Sequence, residues 1–305
     1  MKKIIVYFHT PGEMSYPFNY KKYLEAFTDL RNLLKDRDAE MYIARGDDAY
    51  LGDSNFTNLS VISDNGSVES VDSIVKADLV FDKRDNYTSD IMGAAKLNNV
   101  EVDILCSDKN MTDEKFGYLM PKSILLESKS DFLQKIKNIS TEKVVVKPVI
   151  GFSGEGIEID NKDEIIKMVD SFEYPVLLQD FVDTSSGIPG ITDTLHDLRI
   201  VMVNGEIVQS SFRTPKEGSL LANVAMGGSI DFIETDKLPK EAVLMAKNID
   251  KELLSYGDRI FSVDMIFDGA KFWLLELNSR PGVNPLSVGS KGGVYLERLA
   301  DVLAS

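Results

Sequence analysis

Apolar positions between residues 261 and 282, reading FSVDMIFDGAKFWLLELNSRPG, fall into two strand-like runs interrupted by Asp264, Glu276 and Asn278. Both runs are rich in β-branched and aromatic residues and meet at Asp268-Gly269, a pattern that predicts an antiparallel hairpin. Glu276 and Asn278 then share a face, because side chains alternate along a strand. A two-residue turn at Asp268-Gly269 pairs Phe267 with Ala270 and turns Asp264 away from Glu276. A three-residue loop of Phe267, Asp268 and Gly269, with Gly269 at positive φ, puts all three on one face, and this loop is the one predicted. Three oxygen ligands so arranged suit Mg²⁺ completed by waters and substrate phosphates. A half-buried strand pair with a polar outer face produces the same pattern.

Upstream, apolar runs at 4–8, 41–44, 59–62, 79–81 and 102–105 read as strands. Tyr23, Leu24, Phe27, Leu30 and Leu34 recur at helical spacing between them, and 91–97 reads as a shorter helix. Such alternation predicts a parallel, helix-covered sheet that binds ligands beyond the carboxyl ends of its strands. Arg84 and Asp85 lie in a loop after one of these strands, either at a ligand or in a solvated charge run.

Beyond residue 107 the pattern changes to helix and then strands separated by glycine. Lys109 stands near a predicted helix start, and the strand at 144–146 ends in Lys147-Pro148. A loop containing Gly151, Ser153, Gly154 and Gly156 follows, then a short strand at 157–159. Glycines let backbone N–H groups close on phosphate oxygens while a lysine supplies charge, although a plain hairpin turn explains the loop nearly as well. It is neither a Walker loop nor a Rossmann fingerprint. Helix is predicted over 163–172, and a strand at 176–182 contains Gln179, Asp180 and Phe181, where Gln179 and adjacent backbone present donor and acceptor to a purine edge or simply end a buried strand. The loop 184–195 is long enough to act as a lid or binding loop. A hairpin about Asn204-Gly205 sets Arg199 and Arg213 in strands, where a cation needs a partner or a substrate. Asn223 opens a glycine-terminated turn, and amphipathic helices are predicted over 239–256 and 295–303.

Composition narrows the chemistry. The chain has 305 residues, enough for two or three compact units, and 34 basic against 49 acidic side chains leave a formal charge of −15. That balance repels phosphate backbones, so nucleic acid is not an expected partner. No apolar run is long enough to span a bilayer, and no membrane association is expected. One cysteine, Cys106, fits a reducing cytoplasmic setting, and its place in an apolar run predicts a buried structural thiol. With only His9 and His196, a histidine-rich zinc site is not expected.

Taken in order, Val-Val-Val-Lys147-Pro with the glycine loop, Gln179-Asp180-Phe181, Asp197-Leu-Arg199, Asn223-Val-Ala-Met-Gly-Gly, and Asp264 followed by Glu276-Leu-Asn278 resemble the ATP-grasp superfamily, most closely its glutathione synthetase and ribosomal-protein glutamate ligase branch. The resemblance implies an α/β fold with an N-terminal parallel-sheet domain (1–107), a central grasp subdomain with the glycine loop (108–183) and a C-terminal grasp subdomain with the metal site (184–305), nucleotide lying between two sheets. It implies that Lys109 and Lys147 contact ATP phosphates under the loop of Gly151, Ser153, Gly154 and Gly156. Gln179, Asp180 and Phe181 would hold adenine and Asp183 the ribose. Asp264, Glu276 and Asn278 would bind two Mg²⁺, with Mn²⁺ as an alternative. Arg199, Arg213 and Asn223 would face the transferred phosphate, Arg280 the substrate carboxylate, and Arg84, Asp85, Asn284 and Ser287 the substrate. Relatives carry arginine two positions before Asn223; here that position is Leu221.

The implied activity is an ATP-dependent carboxylate–amine ligation through an acyl-phosphate, on an amino-acid or peptide carboxylate, in a possible homo-oligomer. Two rival readings are a grasp-fold phosphotransferase and a low-turnover ATP-binding regulatory module.

Overall fold

The computed structural model describes residues 1–84, 91–151, 154–223, 226–283 and 292–305. Its described part is a mixed α/β structure built on three main sheets. The first has six strands: Lys2–Phe8 pairs in parallel with Ala39–Arg45 and Leu79–Asp82, and the latter with Ala95–Leu97. Leu59–Ile62 and Val68–Val71 extend the other edge antiparallel, so this sheet is mixed rather than wholly parallel. Helix Lys21–Lys35 covers it, burying Ala26, Phe27, Leu30 and Leu34 at the spacing the apolar pattern predicts.

Two short assignments differ from expectation. Residues 102–105 lie in helix Val100–Ser107, capped by the Asn99 side chain, and within 91–97 the regular element is strand Ala95–Leu97. Short apolar runs carry no period that separates the two states, and here the tertiary setting decides. Cys106 therefore closes a helix, where it is buried as expected and its thiol is pushed up by desolvation.

The second sheet places Lys143–Pro148 between Glu158–Asn161 and Val176–Asp180, with Ser123–Leu126 at the far edge. Alternation splits it cleanly: Val144, Val146, Val176 and Leu178 enter a core with Phe132 and Ile165, while Val145, Lys147 and Gln179 point the other way. The predicted helix over 163–172 is shorter, Lys162–Lys167.

The third sheet has the order Ser229–Phe232, Glu206–Thr214, Asp197–Val203, Ile260–Phe267, Phe272–Asn278, all antiparallel. One face, with Leu198, Ile200, Phe261, Val263 and Met265, packs under helix Lys240–Glu252. The opposite face is polar at one end and apolar at the other. Its apolar end, Val201, Val203 and Ile260, joins the core made by helices Lys21–Lys35 and Gly292–Ala304 with the first sheet. Its polar end faces the second sheet.

The loop 184–195 is anchored rather than open, since Ile188 sits in the third sheet's core and exchanges backbone bonds with Thr192. Among the described residues no helix is long and apolar enough to cross a membrane.

Candidate active site

Between the second and third sheets lies a cleft of about 850 Å³ including its open mouth. Val145, Ile157 and Ile159 form one apolar wall, and Ile266, Leu275 and Ala222 the other. Lys147, Gln179, Arg213, Asn223 and Glu276 are among its polar groups, with Asp180, Thr184, His196 and Asp197 also in the lining.

Of the two lysines, Lys147 lines the cleft and Lys109 stands outside its lining. Lys147 ends its strand on the cleft face, 3 % exposed, and its Nζ donates to Gln179 Oε1 at 3.0 Å. Burial brings its pKa down to about 8, with Lys109 pushing the same way and Glu276 opposing. Lys109 begins helix Lys109–Phe116 and donates to the Gly151 carbonyl at 2.9 Å, tethering the base of the glycine loop. Gly154, at φ 85°, abuts Asn223: a Cβ there would lie 3.1 Å from the Asn223 side-chain carbon, so the loop closes directly onto the turn that Asn223 opens.

Gln179 is not free to read a base through its side chain. Its amide donates to Ser123 Oγ and the Pro121 carbonyl while its oxygen holds Lys147, so its role in this structure is to orient the lysine. Asp180 turns its carboxylate to the backbone amides of Ser140 and Thr141, and the Phe181 amide donates to Thr141 Oγ1. Both line the cleft, but these particular groups are committed to the fold. Asp183 lies outside the lining, accepting from the Ser185 amide.

On the third sheet Asp264 stands opposite Glu276 on one neighbour strand and opposite Arg199 on the other. Directly opposed residues share a face, so Asp264, Glu276 and Asn278 do lie together. The route differs from the predicted loop: Phe267 pairs with Phe272 around the turn 268–271, and Leu275 is an extra residue that shifts the register by one. Gly269 has the expected positive φ, 93°.

Asp264 is fully buried and held by Arg199 at 2.8 Å through Nε and by Arg213 at 2.8 Å. Burial opposes its ionisation, and the Arg199 and Arg213 guanidiniums outweigh that and hold its carboxyl below the usual range. Arg213 also forks onto Asp197, its opposite number across the hairpin, at 2.6 Å. Asp197 is raised, chiefly by burial and also by the nearby Asp264 charge, against the pull of Arg213. The Asp197 partnership was absent from the sequence expectation because plain counting from Asn204-Gly205 sets Asp197 against Phe212; Val208, an extra residue, moves it to Arg213.

The Glu276 carboxylate makes no hydrogen bond among the described residues, and its charge bears on Lys109, Lys147 and Arg213. Among the described residues no three acidic or imidazole side chains converge, so the donor set is two carboxylates and an amide. That set, with Glu276 uncommitted, fits a hard divalent ion that also needs substrate oxygens. Asp264 would have to exchange an arginine, and Asn278, whose Oδ1 accepts from the Arg280 amide at 2.8 Å, a backbone bond.

Arg280 and Arg84 lie apart from the cleft lining. Arg280 donates to the Asp82 carbonyl at 3.2 Å and pairs with Asp103 at 3.3 Å, and Arg84, 2 % exposed, pairs with Asp82 at 2.8 Å and covers the Tyr7 ring. Arg84 is therefore no solvated charge. Asp85, Ser153, Asn284 and Ser287 fall outside the described residues.

The RimK-like ATP-grasp domain model matches residues 94–296. The chain belongs to the RimK-like ATP-grasp family. This ATP-grasp chain is 30% identical over 233 residues to the glutathione synthetase of Prochlorococcus marinus, covering 71% of the chain and 70% of that protein. It is 27% identical over 168 residues to a probable alpha-L-glutamate ligase of Shewanella pealeana, covering 54% of the chain and 34% of that ligase. The glutamate ligases it first matches are spanned over 34% to 54% of their own length. Among solved structures, the D-alanine–D-alanine ligase of Bacillus anthracis complexed with ATP superposes with a TM-score of 0.62 at 16% identity, covering 99% of this chain and 96% of that one, a likeness of fold.

Proposed function

We propose that the chain is an ATP-dependent carboxylate–amine ligase, and that the cleft between the second and third sheets is its nucleotide site. The observation that carries this is the convergence of Lys147, Arg213, Asn223 and Glu276 in one cleft, in a chain of this family whose relatives are named glutathione synthetase and glutamate ligase. In this reading a carboxylate oxygen of the acid attacks the γ-phosphorus of ATP and the bond to the bridging oxygen breaks, releasing ADP. The amine nitrogen then attacks the acyl carbon, phosphate leaves, and the amine proton passes to a phosphate oxygen or a nearby carboxylate.

Phosphoryl transfer asks the protein for positioning and charge stabilisation rather than a nucleophile. Lys147, pre-aimed by Gln179, and Lys109, at the base of the glycine loop, serve the phosphates. Gly154 and Asn223 close the loop over them. Arg213 and Arg199 are held by Asp264 and, for Arg213, Asp197, ready to face charge on the transferred group. Asp264, Glu276 and Asn278 would hold Mg²⁺, which supplies charge neutralisation at the phosphate oxygens when bound. The adenine would lie against Val145, Ile159 and Leu275, with specificity drawn from the Asp180–Val182 backbone. We assign residues 1–107, 108–183 and 184–305 to the N-terminal, central and C-terminal parts of this machine.

Glu276→Gln tests the reading. With ATP, a panel of acids and hydroxylamine, the wild type releases ADP and forms a hydroxamate; the variant folds normally and releases none. Near-normal ADP release by the variant refutes the metal assignment, and ADP release without hydroxamate refutes ligation in favour of simple phosphoryl transfer. Leu221 on the cleft wall favours a second reading, a nucleotide-binding module with little turnover, which predicts tight ATP binding and no ADP from any mixture.

A further inference from the structure

The buried stripe of helix Lys21–Lys35, Leu34, Leu30 and Phe27, continues towards its N-terminus as Tyr23 and, one residue before the helix, Tyr20. There the stripe outruns the core. Tyr20 is 53% and Tyr16 55% exposed, whereas Phe18 and Phe27 from the same stretch are each 1% exposed and already anchor it. Tyr16, Tyr20 and Tyr23 nevertheless pack edge to face on one another, with ring centres 6.0 to 6.4 Å apart. Aromatic rings held together at the surface without serving the core call for another account.

Their position supplies it. A Cβ at Gly282 would lie 3.4 Å from the Tyr23 hydroxyl, so the cluster borders the turn that leaves Asn278. Arg199, on the polar end of the third sheet, is near enough for its charge to act on Tyr23 and on Tyr295, whose hydroxyl donates to the Gly282 carbonyl at 3.3 Å. Lys22 lies 5.5 Å from the Tyr23 ring centre and Lys83 donates to the Pro281 carbonyl at 2.9 Å. The surroundings combine aromatic rings with the cations Lys22, Lys83 and Arg199, a setting that suits an anion with a planar apolar flank.

We propose that Tyr16, Tyr20 and Tyr23 form a wall of the acid-substrate site and select a carboxylate flanked by an aromatic group. The inference rests on the ligase reading above and names the class of acid for it. The acid's carboxylate points towards Arg199 while its flank rests on the tyrosine faces.

The test compares N-acetylphenylalanine with N-acetylalanine, using hydroxylamine as amine and ATP, on the wild type, Tyr16→Ala/Tyr20→Ala and Tyr16→Phe/Tyr20→Phe. Equilibrium dialysis of both acids runs beside the turnover assay. The wild type is expected to favour the aromatic acid about tenfold in kcat/KM, a ratio in keeping with aromatic packing between exposed rings. The alanine pair loses that preference through KM for the aromatic acid, with the KM for ATP and the thermal midpoint unchanged, and the phenylalanine pair retains it. Equal effects on both acids, or no effect on either, overturn the inference, as does failure of both acids to bind. If dialysis shows the preference while no mixture releases ADP, the tyrosine wall stands and the ligase reading falls. ADP release without any preference leaves the ligase reading standing and removes the wall.

Discussion

Lys147 offers the most exacting test of the cleft, because its buried charge should make stability and nucleotide binding respond to pH in opposite directions. Its ordinary value of 10.5 falls to about 8 in the folded chain, first through burial and then through Lys109, with Glu276 opposing. At about 1.4 kcal/mol per tenfold change in proton affinity, this is a penalty of about 3 kcal/mol on the charged, folded form. Below about pH 8 both folded and unfolded chains carry the proton and the penalty is present in full. Between about 8 and 10.5 the folded chain releases it first, so stability rises with pH across that window. Phosphate binding needs the charge, so nucleotide affinity falls in the same window, by up to about tenfold per pH unit. Lys147→Met removes the penalty but leaves Gln179 Oε1 without its donor, at a cost of about 1–3 kcal/mol. The variant should therefore match the wild type or exceed it by up to about 2 kcal/mol near neutral pH, and bind nucleotide poorly at every pH. Denaturant unfolding of both proteins at several pH values isolates the lysine as the difference between them, and calorimetric titration with ADP gives the affinity. A difference flat from about pH 7 to 10.5, or an affinity for ADP that ignores pH, refutes the reasoning.

Three further outcomes follow from the same geometry. Gly154→Ala forces a side chain into φ 85° and against Asn223, costing about 1–2 kcal/mol, so the loop should close less often and ADP affinity fall about tenfold; an unchanged dissociation constant would separate the loop from the nucleotide. Arg213→Met leaves Asp197 unpaired and Asp264 with Arg199 as its remaining cation, and should cost about 3–5 kcal/mol in denaturant unfolding; a loss below about 1 kcal/mol would show that the pairing does not persist in solution. His196 is buried, donates through Nδ1 to the Thr194 carbonyl and accepts from the Phe267 amide at 3.3 Å, and burial holds its pKa below 6.5. Its stabilising contribution is present above 6.5 and lost as pH falls through its folded value, so the thermal midpoint of the wild type should drop further between about pH 7 and 5 than that of His196→Gln.

Elements with a long period or a strong turn were legible in the chain itself. Helix Lys21–Lys35, the hairpin at Asn204-Gly205 with φ of 44° and 83°, and the positive φ at Gly269 match expectation because each rests on local sterics. Short runs were not, as residues 102–105 show: three apolar residues and Asp103 fit a helix or a strand equally, and packing against the third sheet chose the helix. Side-chain partners across the cleft were equally hidden. Gln179 binds Lys147 rather than standing free, and Asp180 caps a neighbouring loop, since both outcomes depend on residues far away in sequence.

By itself the sequence determined the residue types, their strand positions, and the family to which their order belongs, since hydrophobic alternation and turn chemistry act over a few residues. Register came only with the tertiary structure. Asp264 meets Glu276, and Asp197 meets Arg213, only because Leu275 and Val208 are each extra residues in their ladders. A shift of one position turns every following side chain to the opposite face, and whether a strand makes that shift is settled by how both of its faces pack, not by the strand alone.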